Sequence, residues 1–172
     1  MNVTLAYRHV MEKSIRTLAA RLGELLLNGR ATVTCAESCT GGGVASAITD
    51  IPGSSSWFRQ GVVTYADSAK ERLLGVSRQT LAQQGAVSEA VVVEMARGAL
   101  RLAEADIAVA ISGIAGPGGG TAEKLVGTVW FCWARDNGET VTRCVHFDGD
   151  RNAVRTASVL QALTGLISLL DN

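Results

Sequence analysis

The 172-residue chain predicts an α/β fold, a three-layer α/β/α sandwich around a mixed sheet. Short apolar runs rich in β-branched residues alternate with segments of helical periodicity, which is the pattern of such sandwiches. Two of these runs flank the turn signal Asp136-Asn137-Gly138, so we expect them to pair antiparallel and make the sheet mixed. At 47% hydrophobic and 19% charged residues, the chain has enough apolar material for a core, and we expect residues 1–172 to form a single domain.

The first half of the chain is predicted to contain three helices and two strands. Apolar residues at helical spacing predict a helix over residues 5–27, and Asn28-Gly29 ends it. A strand is predicted at residues 31–36 from its apolar and β-branched composition. The remaining predicted elements are a short helix at 42–49, a strand at 61–65 and a helix that runs to Leu74 from Asp67, which we interpret as its cap.

The second half is predicted to contain a long helix, three strands and a final helix. Apolar periodicity over residues 88–104 predicts the long helix. A glycine-rich loop at 113–124 separates the first of the three strands from the hairpin. The strands are predicted at 106–112, 126–134 and 140–147, and the final amphipathic helix at 150–170 with Asp148 or Asp150 near its cap.

The charge balance argues against a polyanionic partner. Formal net charge is zero and the pI is about 6.7, whereas nucleic-acid-binding proteins usually carry a basic excess. No apolar run approaches the roughly 20 residues that cross a bilayer. Residues 1–16 also lack the apolar segment of a signal peptide. We therefore expect a cytoplasmic protein that binds neither nucleic acid nor a membrane.

The four cysteines and two histidines form no recognisable metal motif. The cysteines lack paired C-x-x-C spacing, and the two histidines lie in distant segments. We expect no metal and, in a reducing compartment, buried free thiols. Cys132 and Cys144 flank Asn137-Gly138 almost symmetrically, so they are candidates to face each other across the hairpin, although this spacing alone does not predict a disulfide.

Three features fall where predicted strands end, which is the edge at which α/β sheets bind ligands. They are Ser38 after the first strand, Tyr65 after the second and the glycine-rich loop after the third. Ser38 and Thr40 are each candidates for an ordinary helix cap. The three glycines at 41–43 oppose that interpretation, because each costs up to about 1 kcal/mol in a helix and suits close approach of a ligand. Ser38 is therefore either a cap or a nucleophile.

Tyr65 and Lys70 place a phenol and an amine near the second strand. Their spacing is one residue longer than the Tyr-x-x-x-Lys pair of short-chain dehydrogenases, and no G-x-x-x-G-x-G follows the first strand, so we reject that function. Lys70 is either a solvated surface lysine or points with Tyr65 into one cleft. Arg151 and Arg155 on the last helix are candidates for phosphate contacts or ordinary surface charges.

Six motifs, taken in order along the chain, point to one family. They are AESCTGG (36–42), VVTYADSAK (62–70), GAVSE (85–89), SGIAGPGGGTAEK (112–124), VGTVWF (126–131) and FDGDRNAVR (147–155). Together they resemble the CinA C-terminal domain family, and in it the nicotinamide-nucleotide amidases of the PncC type. The resemblance implies a mixed five-stranded sheet in a three-layer sandwich. It also implies metal-independent hydrolysis of the amide of nicotinamide mononucleotide, giving nicotinate mononucleotide and ammonia, by a stand-alone version of the domain.

The resemblance also implies roles for the residues at the strand ends. Ser38 is the implied nucleophile, with Lys70 and Tyr65 as its catalytic partners. The oxyanion is held by the segment Thr40, Gly41 and Gly42. The expected substrate-binding residues are Gly113, Gly116, Gly118, Gly119 and Arg151. We expect no cofactor, a small-molecule nucleotide as substrate, and a homo-oligomer.

Two residues depart from the family pattern at this site. Leu125 stands where the family has proline, and Asp67 stands where it has asparagine. Asp67 lies three residues before Lys70, so its carboxylate is expected to stabilise the protonated amine, whereas a general base must be neutral. Two alternatives to a nicotinamide-nucleotide amidase stay open. One is a weak or silent paralogue that binds pyridine nucleotides as a regulatory module, and the other is an amidase with a shifted substrate.

Overall fold

The computed structural model, which describes residues 3–171, confirms the α/β fold with a mixed sheet between two helical layers. The five strands in this part of the chain are β1 Val33–Glu37, β2 Phe58–Val63, β3 Ile107–Gly113, β4 Thr128–Arg135 and β5 Thr140–His146. The helices are α1 Val3–Gly29, α2 Gly43–Thr49, α3 Asp67–Leu74, α4 Arg78–Gln84, α5 Glu89–Ala103 and α6 Arg151–Leu170. Helices α1, α2 and α6 cover one face of the sheet, and α3, α4 and α5 cover the other.

The sheet has the strand order β2-β1-β3-β4-β5. β1 pairs in parallel with β2 and β3, while the β3–β4 and β4–β5 pairs are antiparallel. The predicted hairpin around Asn137-Gly138 is therefore confirmed. Its register places Cys144 opposite Trp130 and Cys132 opposite Thr142, so the two cysteines do not face each other. All four cysteines are free thiols, and the expectation that they are buried holds for three of them but is wrong for Cys144, which is exposed.

Helix α6 is a core element. Its apolar side packs against the sheet and α1, and Trp133 Nε1 donates a hydrogen bond to the carbonyl of Ala162 at 2.9 Å. At Gly165 an added Cβ would come within 2.0 Å of the Trp133 ring, so only glycine permits this approach. Among the residues that the structure describes, α6 is the one helix long and apolar enough to cross a membrane by length and composition. Its buried side instead matches the core helix of an α/β sandwich.

Two predicted strand boundaries are wrong. β1 begins at Val33 rather than at residue 31, because the N–H and hydroxyl of Thr32 both donate to the Asp106 carboxylate. β2 ends at Val63, so Tyr65 lies beyond the strand, in its connection to α3. The β2–α3 connection is therefore free to bend around the end of the sheet.

The helix ends show one wrong cap, one confirmed cap and one missed helix. Asp67 is the first residue of α3 rather than its cap, and Ala66 occupies the cap position without a side-chain hydrogen bond. Asp150 does cap α6, because its carboxylate accepts the N–H of Ala153 at 2.9 Å. The short helix α4, which Ser77 caps, was not predicted because Leu81 is its single buried residue.

Candidate active site

The structure brings Ser38 and Lys70 together at the carboxyl end of β1. The N–H of Ser38 donates to the carbonyl of Ile111 at 3.0 Å, which extends the β1–β3 pairing by one residue and holds the serine against the sheet. Lys70 projects from the first turn of α3, and its Nζ lies 3.3 Å from Ser38 Oγ. Ser38 is 9% exposed and Lys70 is 1% exposed, so the pair is shielded from bulk water.

The Lys70 amine is surrounded by oxygen atoms. It donates to the backbone carbonyls of Thr64 at 3.1 Å and Tyr65 at 3.3 Å, because the β2–α3 connection turns its peptide oxygens towards α3. Asp67 Oδ1 is 3.4 Å away and forms an ion pair with it. The interpretation of Lys70 as a solvated surface lysine is therefore wrong. A lysine buried to this degree needs such partners, since an unpaired buried charge is costly.

Tyr65 meets Lys70 through its backbone and not through its phenol. The Tyr65 side chain is 58% exposed, and its hydroxyl accepts a hydrogen bond from Arg151 Nη2 at 2.8 Å. Arg151 Nη1 donates to the carbonyl of Gly116 at 2.8 Å. One guanidinium thus joins the start of α6, the glycine-rich loop and the β2–α3 connection at the rim of the site.

The glycines of the loop serve two different purposes. A Cβ on Gly113 would approach Val129 Cγ2 to 2.7 Å, and one on Gly116 would approach Val126 Cγ1 to 2.6 Å, so these two glycines permit close packing. Gly116 also has φ 82°, which disfavours other residues. Gly118 has open space around its Cα, and Gly119 meets its nearest neighbour only at 3.6 Å. These two glycines leave the tip of the loop uncrowded.

Two surface clefts are lined in part by this loop. One, of about 520 Å³, is formed by the segment 117–121 together with Leu125, Val126 and His146. The other, of about 490 Å³, lies between Lys124, Trp130 and the start of α5. Neither cleft is lined by Ser38 or Lys70. The candidate site is therefore identified by the buried, hydrogen-bonded Ser38–Lys70 pair and not by the size of a cleft.

Cys39, the residue after Ser38, is a poor alternative nucleophile. Burial raises the pKa of the Cys39 thiol to about 11. The reactive form of a cysteine is the thiolate, so Cys39 stays protonated and weakly reactive at neutral pH. Burial likewise raises the pKa of Cys35 well above its ordinary value, with a smaller contribution from the nearby Glu37 carboxylate.

Comparison with known proteins decides the family. The family model of the CinA C-terminal domain matches residues 15–170. This chain belongs to that family. A curated nicotinamide-nucleotide amidohydrolase PncC from Escherichia coli (strain K12) is 57% identical over 155 residues, which cover 90% of this chain and 94% of the relative. The protein of the same name from Enterobacter agglomerans is 55% identical over 162 residues, which cover 94% and 99%.

A solved CinA-family structure has the same fold. The competence/damage inducible protein CihA from Agrobacterium tumefaciens superposes with a TM-score of 0.89 and 43% identity, covering 92% of this chain and 96% of that one. The resemblance that the motifs predicted is therefore confirmed over nearly the whole chain. Within residues 3–171, no three side chains of the His, Cys, Asp and Glu types are grouped as a potential metal site.

Sequence reasoning missed one residue of this CinA domain site. Glu37, the last residue of β1, is fully buried, and its carboxylate accepts hydrogen bonds from the N–H groups of Gly42, Val44 and Ala45 at 2.9–3.1 Å. A signal was present. Gly42 at the start of α2 has no side chain to cap the helix, so a nearby carboxylate was needed to accept its free N–H groups.

Proposed function

We propose that this chain hydrolyses the carboxamide of nicotinamide mononucleotide, giving nicotinate mononucleotide and ammonia. The observation that carries the chemistry is the buried Lys70 amine 3.3 Å from the Ser38 hydroxyl. An amide requires an activated nucleophile, and a serine gains that activation from an adjacent base. The choice of substrate follows from the PncC relatives, which are named as nicotinamide-nucleotide amidohydrolases and match over at least nine-tenths of their length.

In the reacting state, Lys70 is the base and is neutral. A neutral amine has two N–H donors and one lone pair. The two donors suit the carbonyls of Thr64 and Tyr65, which leaves the lone pair for the Ser38 hydroxyl. The backbone carbonyls thereby orient the base, and this is the support that we assign to Tyr65.

The reaction proceeds in two halves. Ser38 Oγ attacks the carboxamide carbon while its proton passes to Lys70, and the C=O electron pair moves to the oxygen. The intermediate collapses with cleavage of the C–N bond, and Lys70 returns the proton to the departing nitrogen. Ammonia is released, and the acyl group remains on Ser38 as an ester. Water then attacks this ester with Lys70 as base. The Ser38–carbon bond breaks, Ser38 regains its proton, and nicotinate mononucleotide is released.

The glycine-rich loop and Arg151 hold the nucleotide in this proposal. Arg151 is exposed at the rim and offers a planar set of N–H donors, which suits a phosphate. Gly113, Gly116, Gly118 and Gly119 let the loop backbone come close to the ligand. We also propose a cytoplasmic homo-oligomer that acts on a small nucleotide and binds neither nucleic acid nor membrane, in keeping with the zero net charge.

One observation favours a second candidate function. The Asp67 carboxylate 3.4 Å from Lys70 stabilises the protonated amine, which cannot act as a base. A chain held in that state binds the nucleotide without hydrolysing it and acts as a pyridine-nucleotide-binding module. Leu125 at the end of the glycine-rich loop is the second difference from the family pattern that this candidate invokes.

The deciding experiment measures ammonia release and ligand binding on the same samples. Wild-type protein and the variants Ser38→Ala and Ser46→Ala are mixed with nicotinamide mononucleotide, other pyridine nucleotides and simple amides. Ser46 is an exposed serine on the neighbouring helix and serves as the matched control. We expect turnover by wild type and Ser46→Ala and none by Ser38→Ala. Binding without turnover in the wild type would support the module, and full activity of Ser38→Ala would exclude serine catalysis.

A further inference from the structure

The carboxylate of Glu37 is the most deeply buried charge next to the Ser38 turn. Its side chain has no exposed surface, and both oxygens are occupied. Oε2 accepts the N–H groups of Gly42 and Val44 at 3.1 Å each, and Oε1 accepts that of Ala45 at 2.9 Å. The thiol of Cys35 adds a weaker contact to Oε1 at 3.6 Å. Hydrogen bonds of N–H groups to a carboxylate are roughly twice as strong as neutral ones, so Glu37 ties down the turn that carries Ser38.

Every N–H between Ser38 and Ala45 donates to an oxygen atom except two. Ser38 donates to β3, and the N–H groups of Gly41 and Gly43 close the turn on the carbonyls of Ser38 and Thr40. The Glu37 carboxylate accepts the N–H groups of Gly42, Val44 and Ala45. Within this described segment, the N–H groups of Cys39 and Thr40 have no acceptor oxygen and contact only the Cys39 sulfur, a weak acceptor.

A second charged side chain holds the same turn from the opposite direction. Arg155 of α6 donates from Nη2 to the carbonyl of Thr40 at 2.9 Å. That contact fixes the peptide plane after Thr40, while Glu37 fixes the planes that begin α2. Gly41 and Gly42 have φ angles of 59° and 93°, so the turn uses backbone conformations that only glycine adopts without strain. The two charges hold a segment that is flexible by composition.

We infer that Glu37 is a positioning residue, and that the oxyanion of the reaction is held by the N–H groups of Cys39 and Thr40. This inference rests on the proposed serine mechanism. It narrows the expectation that Thr40, Gly41 and Gly42 supply the donors, because the N–H groups of both glycines are already used. A donor from the residue directly after the nucleophile is also how other serine hydrolases stabilise the oxyanion.

The first test replaces Glu37 by glutamine, which keeps the size of the side chain and removes its charge. One oxygen then remains for three N–H groups, and the amide nitrogen adds a donor that faces other donors. We expect kcat to fall about 10- to 100-fold, while KM and the Kd of nicotinate mononucleotide stay within about twofold, because an oxyanion donor acts in the transition state. The matched control is Cys35→Ala, which removes a buried contact to the same carboxylate and should keep kcat within about twofold.

A purely structural role for Glu37 is separated by counting competent sites. Calorimetric titration with nicotinate mononucleotide gives the number of binding sites per chain, and kcat is then expressed per competent site. A structural defect lowers the site count and leaves the rate per site unchanged. The inference requires the rate per site to fall.

The second test removes single N–H groups without changing a side chain. Native chemical ligation at Cys35 allows the amide of Thr40 or of Gly41 to be replaced by an ester. We expect the Thr40 ester to lower kcat about 100- to 1,000-fold, the range for loss of one oxyanion donor. The Gly41 ester, which removes a turn hydrogen bond, should have a clearly smaller effect. The reverse order would overturn the donor assignment.

The outcomes distinguish a failure of the Glu37 assignment from a failure of the proposed serine mechanism. If Ser38→Ala is inactive but Glu37→Gln matches Cys35→Ala in rate per site, the mechanism stands and the role of Glu37 is wrong. If Ser38→Ala stays active, or the wild-type chain does not turn over the nucleotide, the proposed mechanism fails and the inference fails with it. If Glu37→Gln does not fold, the pair of esters decides the assignment alone.

Discussion

The Ser38–Lys70 pair and the Arg151 contacts lie at the same edge of the sheet but are built differently. The pair is almost fully buried, and backbone carbonyls hold its amine. The Arg151 contacts are made by an exposed arginine, an exposed tyrosine and a loop carbonyl. The candidate reacting atoms are thus held by buried backbone contacts, whereas the rim is held by the ends of exposed side chains. Substitutions in the first region should therefore change kcat, and those in the second should change KM.

The largest expected effect comes from Lys70→Met. Methionine keeps the length of the side chain but cannot accept the serine proton, so we expect kcat to fall about 1,000-fold or more, as for removal of a catalytic base. Stability should fall by about 1–3 kcal/mol, because the buried carbonyl of Thr64 loses its donor. Ammonia release and thermal melting measure the two effects, with exposed Lys13→Met as the control. A loss of activity that only followed a loss of folding would contradict the assignment.

Arg151→Met should show that the Arg151 contacts affect substrate binding, whereas the Ser38–Lys70 pair affects the chemical step. Loss of one charge-assisted contact to a phosphate costs about 1.5–3 kcal/mol, which is about a 10- to 100-fold rise in KM with little change in kcat. Tyr65→Phe removes the hydroxyl that Arg151 contacts and leaves the carbonyl that contacts Lys70, so its smaller effect should also fall on KM. Arg143→Met, on the exposed side of β5, is the control. A collapse of kcat in Tyr65→Phe would show that the phenol relays a proton.

Asp67→Asn is expected to raise activity. The change removes the carboxylate that pairs with the Lys70 amine at 3.4 Å, and a general base works better without a competing ion pair. Because Asp67 is 56% exposed, solvent weakens the ion pair, and we expect a gain of at most about tenfold. Ammonia release at neutral pH compares the turnover of the variant with that of the wild type. Glu71→Gln on the same helix is the control, and an unchanged rate in Asp67→Asn would contradict the effect.

The smallest effect is expected from Leu125→Pro at the end of the glycine-rich loop. Leu125 is 58% exposed, and its N–H donates to no acceptor among the described residues, so proline removes no hydrogen bond. Proline lowers the conformational entropy of the unfolded and unbound loop, which reduces the free-energy cost of ordering it by about 0.4–1 kcal/mol. The Kd for the nucleotide, measured by calorimetry beside Leu125→Ala, should fall about two- to fivefold. An equal or weaker affinity would show that the loop is already ordered.

Much of the fold was predictable because its signals are local. Helical periodicity predicted α1, α5 and α6, and the Asn-Gly turn predicted the β4–β5 hairpin. Helix α4 was missed because one buried leucine gives no periodicity. The end of β2 was misplaced because the apolar pattern of residues 61–65 continues past the last paired residue.

The sequence predicted which residues belong to the candidate site, but not which of their atoms make the contacts. Motifs and strand ends identified Ser38, Lys70, Tyr65 and Arg151. No sequence pattern shows that Tyr65 faces Lys70 with its carbonyl and Arg151 with its phenol, because that depends on how the β2–α3 connection bends. Glu37 was missed for a related reason. The uncapped glycine at the start of α2 indicates that its N–H groups need an acceptor, but it does not show which side chain supplies that acceptor.

The order in which the chain is synthesised determines when Arg151 can bridge Gly116 and Tyr65. Ser38 and Lys70 are 32 positions apart, whereas Arg151 is 86 positions from Tyr65 and belongs to the last helix. The ribosome therefore synthesises the segment that carries the proposed reacting pair well before it synthesises the segment that carries Arg151. A nascent chain therefore cannot form this bridge, and with it the proposed ligand-binding rim, until α6 has been synthesised.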